Sequence, residues 1–329
     1  MNPQNGEILA LASRPSFDPN HPETATPAAW KNMAIASVFE PGSTFKPMVV
    51  AWALDRGFIA RDDLFDCERG AYRMGRRILH DHHRYGELSL TDILVKSSNI
   101  GMAKIGEILG NAELFQMADA FGFGKKTGIE LPGELGGLLR PLKDWTSYST
   151  GSIPMGQELS ATPLQVIAAH ATLANRGIHV GPHLVLKEQG TAIRARPVVI
   201  SPVVDADVAE WLVQGPLVDV VLRGTGKLAG IDHVDVFGKT GTAQKQERDG
   251  NGYSSTRHLS SFVGGANAEH PQLLVLVSVD EPQGADQYGG TVAAPYVASI
   301  LKRGLEILER ESETQPATLA IEPAVPHLR

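Results

Sequence analysis

The segment Ser43 to Leu54 constrains the fold more than any other, because its apolar residues leave no face for water. Phe45, Met48, Val49, Val50, Trp52, Ala53 and Leu54 cover nearly every side of a helix. Such a helix belongs in the middle of a protein rather than on its surface. Pro47 fits it only in the first turn, where its missing N–H would have had no partner. The turn cluster Phe39-Glu40-Pro41-Gly42 stands just before, so Ser43 is expected at or next to the N-terminus of a buried helix. A core able to enclose it is available: the chain has 329 residues, 42% hydrophobic and 20% charged. That length suggests about one or two domains and excludes a disordered or fibrous chain.

Around this helix the pattern is mixed. Asn5-Gly6 is a hairpin signal and Glu7 to Ser13 reads as a strand, yet only four residues precede the turn. We expect the chain to be cut inside or just before its first strand; a short exposed N-terminal segment is the alternative. Asp62 to Tyr85 is polar and irregular. Leu88 to Val95 reads as a helix capped by Ser89 or Thr91, Ile100 to Leu109 as a second closed by Gly110, and Ala112 to Phe121 as a third closed by Gly122. Gly122 to Pro141 is a loop, and Thr162-Pro163 opens a helix to Asn175. Val234 to Ala243, Ser260 to Gly265 and Leu273 to Val279 predict an antiparallel meander, with turns at Asp249 to Gly252 and Asn267 to Pro271. Ala293 to Leu308 is a closing amphipathic helix, and 311–329 reads as a disordered tail. Central helices with strands at both ends predict an α+β domain over 1–310, the N-terminal strand joining the C-terminal meander.

Composition removes several classes of function. Thirty basic and 37 acidic residues give a formal charge of −7, and no Lys/Arg-rich run offers a nucleic-acid surface. The longest apolar runs, such as Leu273 to Val277, are far short of the roughly 18 residues needed to cross a bilayer. The single cysteine, Cys67, excludes an internal disulfide and a cysteine-based zinc site. His80-Asp81-His82-His83 invites a metal reading, but consecutive residues rarely converge on one ion, so a solvated loop is expected. The four tryptophans are scattered and read as packing.

Ser43-Thr44-Phe45-Lys46 puts a hydroxyl and an amine on one helical face, where the amine can take the serine proton. The spacing alone is weak, since Ser299 to Lys302 repeats it inside the closing helix. Lys-Thr-Gly also occurs twice. Lys239-Thr240-Gly241-Thr242 lies on a predicted strand that can present backbone groups to an extended peptide, with Gly238 and Gly241 permitting close approach. Lys126-Thr127-Gly128 lies in the glycine-rich loop and reads as a surface turn. Ser97-Ser98-Asn99 interrupts two helices, where a polar loop can point into a cleft.

In this order, Ser43 to Lys46, Ser97 to Asn99 and Lys239 to Thr242 resemble the signature of penicillin-binding proteins and serine β-lactamases. Gly6 to Ala10, Phe39 to Pro47, Ser97 to Gly101, Phe121 to Gly124, Gly128 to Glu134 and Thr162 to Gln165 extend the resemblance to a class B penicillin-binding protein transpeptidase domain, closest to its division-specific branch. Tyr288-Gly289-Gly290 and Ala293-Ala294-Pro295 are similar more loosely. The resemblance implies an antiparallel sheet flanked by helices plus an all-helical lobe. It also implies D,D-transpeptidation of peptidoglycan stem peptides ending in D-alanyl-D-alanine, through a Ser43 acyl-enzyme that β-lactams also form.

By that resemblance Lys46 is the general base, made neutral by partial burial and the neighbouring Lys239 cation. Ser97 relays the proton to the leaving amine, and Asn99 binds the substrate amide. Lys239, Thr240 and Thr242 hold the terminal carboxylate beside Gly241, while the backbone N–H groups of Ser43 and Thr242 form an oxyanion hole. No metal or cofactor is implied. Cell-division proteins and a glycosyltransferase are the expected partners, and the full-length protein is expected on the extracytoplasmic face of the bacterial cytoplasmic membrane. The alternatives are a D,D-carboxypeptidase, a β-lactamase-like hydrolase, and a penicillin-sensing or non-catalytic scaffold domain. The Leu-Asn pair of class A β-lactamases is absent from the sequence, and intact Ser43, Lys46, Ser97 and Lys239 argue against a dead scaffold.

Overall fold

The computed structural model describes residues 1–185, 199–247, 252–284 and 286–314. The helix expected from Ser43 forms as Lys46–Asp55, entered through a tight 3-10 turn at Gly42–Phe45. Met48, Val49, Val50, Ala51 and Ala53 are wholly enclosed, so the predicted burial on all faces holds. Its core is shared with the helices Leu90–Lys96, Asn99–Ala120 and Pro163–Ala174. Gly110 adopts φ 74° and ψ 168° inside Asn99–Ala120, which breaks the helix where two separate helices are expected. Thr162 and Gln165 form a reciprocal capping box at the start of Pro163–Ala174.

The C-terminal meander forms as Val236–Gln246, Tyr253–Ala266 and Leu274–Asp280, antiparallel and in that order. Val236–Gln246 is therefore an edge strand, paired on one side with Tyr253–Ala266 and turned on the other toward the helices. The closing helix Ala294–Thr314 packs Val297 and Leu301 against Phe262 and Leu273, and it runs six residues past its expected end. The turn expected at Asp249 to Gly252 lies largely outside the described residues, as does the tail from 315 onward.

Three expectations change. Glu7 to Ser13 is not a strand: Glu7 makes only a single parallel bridge to His183. The element that joins the meander is Met1, whose backbone exchanges both hydrogen bonds with Leu274 (2.9 and 3.0 Å). The Asn5-Gly6 turn is real, with Gly6 N–H donating to Asn2, but it redirects the chain away from the sheet. The stretch Asp62 to Tyr85 is ordered into short antiparallel pairs, Leu64–Asp66 with Glu87–Ser89 and Ala71–Met74 with Arg77–His80. Alternation over three or four residues is too brief to read from sequence. The helices Ala206–Gln214 and Pro216–Leu222, in a stretch between Asn175 and Val234 for which no element was expected, add Leu212, Val213 and Leu217 to the core. Among the described residues no helix is long and apolar enough to cross a membrane.

Candidate active site

Ser43 sits in the 3-10 turn, so its hydroxyl and the Lys46 amine leave the same side of the chain as the helix begins. The turn is clamped from two directions. Gly42 N–H donates to the Gly156 carbonyl (3.0 Å), and the buried His170 ring nitrogen Nε2 donates to the Thr44 carbonyl (2.8 Å). Gly156 has φ 74°, and a Cβ there would stand 2.1 Å from the Gly42 carbonyl oxygen, so glycine is needed for this approach. Burial lowers His170 from its usual 6.5 to about 4, which keeps it neutral at this contact.

Ser97 ends Leu90–Lys96 in the left-handed conformation, φ 57° and ψ 41°, a geometry uncommon for serine. It places the Ser97 hydroxyl between two lysines. Lys46 Nζ donates to Ser97 Oγ (3.2 Å), to the Ser97 carbonyl (2.7 Å) and to Asn99 Oδ1 (2.8 Å). Lys239 Nζ donates to the same Oγ at 3.0 Å. Thus five of the predicted residues converge: Ser97 bridges Lys46 and Lys239, Asn99 joins through Lys46, and Thr240 is reached by Lys239 at 3.4 Å. Among the described residues no hydrogen bond links Ser43 Oγ to Lys46 or Ser97; Ser43 instead lines the open cleft together with Asn99 and Thr242.

Gly241 lets the edge strand pass against the serine turn. A Cβ there would meet Ser261 Oγ at 2.5 Å and Thr44 Cγ2 at 2.9 Å. Gly241 thus fits against both the serine turn and the neighbouring strand, and Gly238 likewise packs against Val263 and Phe262. Thr242 Oγ1 accepts from Gly289 N–H (3.1 Å), which ties the Tyr288-Gly289-Gly290 segment to the cleft. Thr225 and Thr240 hydroxyls share a hydrogen bond of 2.7 Å beside Lys239.

Both lysines are wholly buried. Burial pushes Lys46 down from 10.5 to about 7, against the pull of the Asp81 carboxylate, which raises it. Lys239 is lowered well below its usual value, first by burial and then by the charge of Lys46. The expected neutralising cause for Lys46, partial burial aided by a cation, is thus corrected: burial is complete and dominates.

Sequence reasoning missed Asp81. The tetrad His80 to His83 is not simply a solvated loop, because the Asp81 carboxylate accepts from Asn99 N–H (2.5 Å), Ile100 N–H (3.1 Å) and Ser98 Oγ–H (2.7 Å). It thereby anchors the Ser97-Ser98-Asn99 loop at the N-terminus of Asn99–Ala120, where a carboxylate is stabilised. Among the described residues no group of His, Cys, Asp and Glu is arranged to hold a metal ion. His82 faces the cleft and packs edge-on to Tyr288 at 6.0 Å. Thr225 and His170 were also unmarked in the sequence, since a lone threonine or histidine carries no pattern. The rival copies separate as expected: Ser299 and Lys302 are exposed on the closing helix, and Thr127 and Gly128 form a turn whose N–H groups bond the buried Glu134 carboxylate. Cys67 is buried, its Sγ 3.4 Å from Ser98 Oγ.

Two cavities meet at Ser43. One of about 490 Å³ runs past Asn99, Thr242 and Gln244 toward Glu40. The other, about 780 Å³, runs past Ser97, Thr225 and Thr240 toward Arg223. The cleft is thus an extended trough along the edge strand, with the serine midway.

Residues 1–302 match the family described as the penicillin binding protein transpeptidase domain. Stage V sporulation protein D of Bacillus subtilis is 36% identical over 313 residues, which is 93% of this chain and 48% of that protein. The peptidoglycan D,D-transpeptidase FtsI of Escherichia coli K12 is 32% identical over 317 residues, 94% of this chain and 50% of FtsI. The chain spans about half the length of such curated relatives. The solved transpeptidase domain of Burkholderia pseudomallei penicillin-binding protein 3 superposes with a TM-score of 0.83 at 29% identity, covering 97% of this chain and 88% of that one. Penicillin-binding protein 3 of Mycobacterium tuberculosis, complexed with aztreonam, superposes with a TM-score of 0.85 at 30% identity, covering 95% and 72%. With the three motifs gathered around one trough and the α+β architecture shared, the chain belongs to the penicillin-binding protein transpeptidase family, in the class B branch that its motifs resemble.

Proposed function

We propose that the domain over 1–310 is a serine D,D-transpeptidase that cross-links peptidoglycan stem peptides. The observation that carries the reading is the Ser97 hydroxyl held between two buried lysines at 3.2 and 3.0 Å, beside a serine open to an extended trough. Ser43 Oγ attacks the carbonyl between the two terminal D-alanines, and Lys46 takes its proton. A C–O bond forms as the C–N bond breaks, and the proton returns to the departing D-alanine nitrogen through Ser97. An amine from a neighbouring stem then attacks the ester, releases Ser43 and completes the cross-link.

The two lysines divide the labour electrostatically. With both amines buried against one hydroxyl, protonating one disfavours protonating the other. A substrate carboxylate lying beside Lys239, Thr240 and Thr225 stabilises the proton on Lys239 and so holds Lys46 neutral, ready to act as base. Asn99, already bonded to Lys46, is placed to bind the substrate amide, and the Ser43 and Thr242 N–H groups to hold the developing oxyanion. β-Lactams enter by the same attack, as the aztreonam complex of the Mycobacterium relative suggests. The full-length protein acts on the extracytoplasmic face of the membrane with cell-division partners and a glycosyltransferase, a setting that rests on the family resemblance; the names of the sporulation and peptidoglycan relatives support cell-wall synthesis itself.

The test supplies a D-alanyl-D-alanine thioester donor together with an amine acceptor and follows products by mass spectrometry. Transpeptidation predicts an acyl–acceptor product that rises with acceptor concentration and disappears in Ser43→Ala. Hydrolysis product alone, at every acceptor concentration, would replace this reading with a carboxypeptidase.

A further inference from the structure

The trough has two arms of different charge. Past Thr242 and Gln244 its cavity holds the acidic Glu40. The arm of about 780 Å³ past Ser97, Thr225 and Thr240 is lined instead by Lys96, Arg223 and Lys227 and, among the described residues, by no carboxylate. These cations come from separate elements. Lys96 is the last residue of the helix Leu90–Lys96, Arg223 follows Pro216–Leu222, and Lys227 opens the 3-10 turn Lys227–Ala229. The loop between Arg223 and Lys227 is fixed against the first of these helices. Thr225 N–H donates to the Val95 carbonyl (3.3 Å), and a Cβ on Gly224 would stand 2.6 Å from that oxygen, so glycine permits the approach. Arg223 is already a clamp, paired with Asp92 at 2.6 Å and Asp219 at 2.9 Å. Lys96 and Lys227 differ from it, because among the described residues no carboxylate pairs with either. Lys96 is half-buried with its Nζ 5.5 Å over the Tyr85 ring, and Lys227 is exposed. Two cations without counter-charges on the wall of one cavity favour an anion inside it.

The order of the reaction decides which substrate meets this arm. The donor's terminal carboxylate lies at Lys239, Thr240 and Thr225, its scissile carbonyl between Ser43 and Thr242, and the rest of its chain along the other arm. When the C–N bond breaks, D-alanine departs and only the cationic arm is vacated. By microscopic reversibility the entering amine retraces the path of the departing one. It approaches the same face of the acyl carbon and gives its proton to the same Ser97 and Lys46 relay. The acceptor chain therefore enters through the cationic arm. Acceptor stems end, like donors, in D-alanyl-D-alanine, so each brings a carboxylate of its own.

We propose that this arm is the acceptor channel and that Lys96 and Lys227 form an anion subsite within it, so that the acyl-enzyme reacts preferentially with amines whose chain carries a carboxylate. The inference rests on the acyl-transfer reading above and gives that reading its acceptor class. The attacking nitrogen forms a C–N bond to the acyl carbon, the C–O bond to Ser43 breaks, and the proton from nitrogen passes to Ser43 Oγ. The subsite touches none of these atoms; it holds the chain that bears the amine. Tyr85, Leu228 and Tyr288 add apolar wall beside the two cations, which suits a peptide better than a small ion.

The test loads Ser43 from one thioester donor and offers two acceptors, ε-aminocaproyl-D-alanine and its carboxamide, whose amines lie far enough from the difference to be equally basic. The ratio of their transfer rates, each measured against hydrolysis in the same sample, reads the subsite. Two cations in a partly enclosed cavity predict a preference of about five- to tenfold for the carboxylate, shrinking as salt is raised. Lys96→Gln and Lys227→Gln should each lower the ratio, and together bring it to about one. Lys227→Arg, which keeps the charge, should retain it. Because the ratio is taken within each protein, general damage to the site cancels. Equal transfer to both acceptors by the wild-type protein would overturn the subsite alone. So would a preference that survives in the double variant, since the anion would then sit at the vacated Lys239. Hydrolysis alone with every acceptor would overturn both this proposal and the transpeptidase reading.

Discussion

Raising the pH from 6 to 8 should accelerate penicillin acylation of Ser43 about tenfold. The perturbation acts on Lys46, which burial holds at about 7. A base of that pKa is about 9% neutral at pH 6 and about 91% neutral at pH 8, a ratio of about ten. Only the neutral amine can take the serine proton, so the acylation rate constant should follow that fraction and level off above pH 8. Asp81→Asn removes the one anion that raises Lys46, so its profile should have a midpoint at lower pH. Lys46→Arg keeps a permanent charge and should slow acylation by about 10² to 10⁴. Rapid-quench measurement of the covalent adduct at each pH, with a thermal melt of the same sample, separates chemistry from unfolding. A flat profile between pH 6 and 8 on folded protein would refute Lys46 as the base.

Asp81→Ala leaves Ser98 Oγ–H and the Asn99 and Ile100 N–H groups without their carboxylate, and should lower stability by about 2–4 kcal/mol in urea unfolding. His170, lowered by burial from 6.5 to about 4, binds fewer protons folded than unfolded between those pH values. Stability therefore rises with pH across that window and is lost on acidification, by on the order of 3 kcal/mol at pH 4. His170→Gln can still donate to the Thr44 carbonyl and should flatten that part of the stability curve, read from urea midpoints at pH 4, 5 and 7. Gly156→Ala forces both a disfavoured backbone and a clash with Gly42, and should cost about 1–3 kcal/mol in thermal denaturation. It should also slow acylation, because the clash falls on the residue before Ser43.

What could be read from the sequence was what is written locally. The burial of the Lys46–Asp55 helix follows from apolar residues on every face, and the break between Ser97 and Asn99 from two helices whose caps face each other. A strand was visible around Lys239 and a helix start at Thr162-Pro163, while the reciprocal cap between Thr162 and Gln165 emerged only in the structure. What stayed hidden depends on partners distant in sequence. Asp81 is 18 residues from the Asn99 N–H it accepts from, and His170 is 126 residues from the Thr44 carbonyl it supports. Glu7 to Ser13 had the composition of a strand but no neighbouring ladder, because the pairing position beside Leu274 is taken by Met1. Gly241 was singled out for approach to substrate, and the contacts that a side chain there would meet are with Thr44 and Ser261, which no local pattern shows.

The central claim is that Ser43 forms a slowly hydrolysed acyl-enzyme. It is tested most directly with a fluorescent penicillin, by labelling the protein and its Ser43→Ala variant and following the label after excess drug is removed. The account predicts a label that requires Ser43 and persists. Rapid loss of label would favour a hydrolase, and a folded wild-type protein that takes no label would contradict the account.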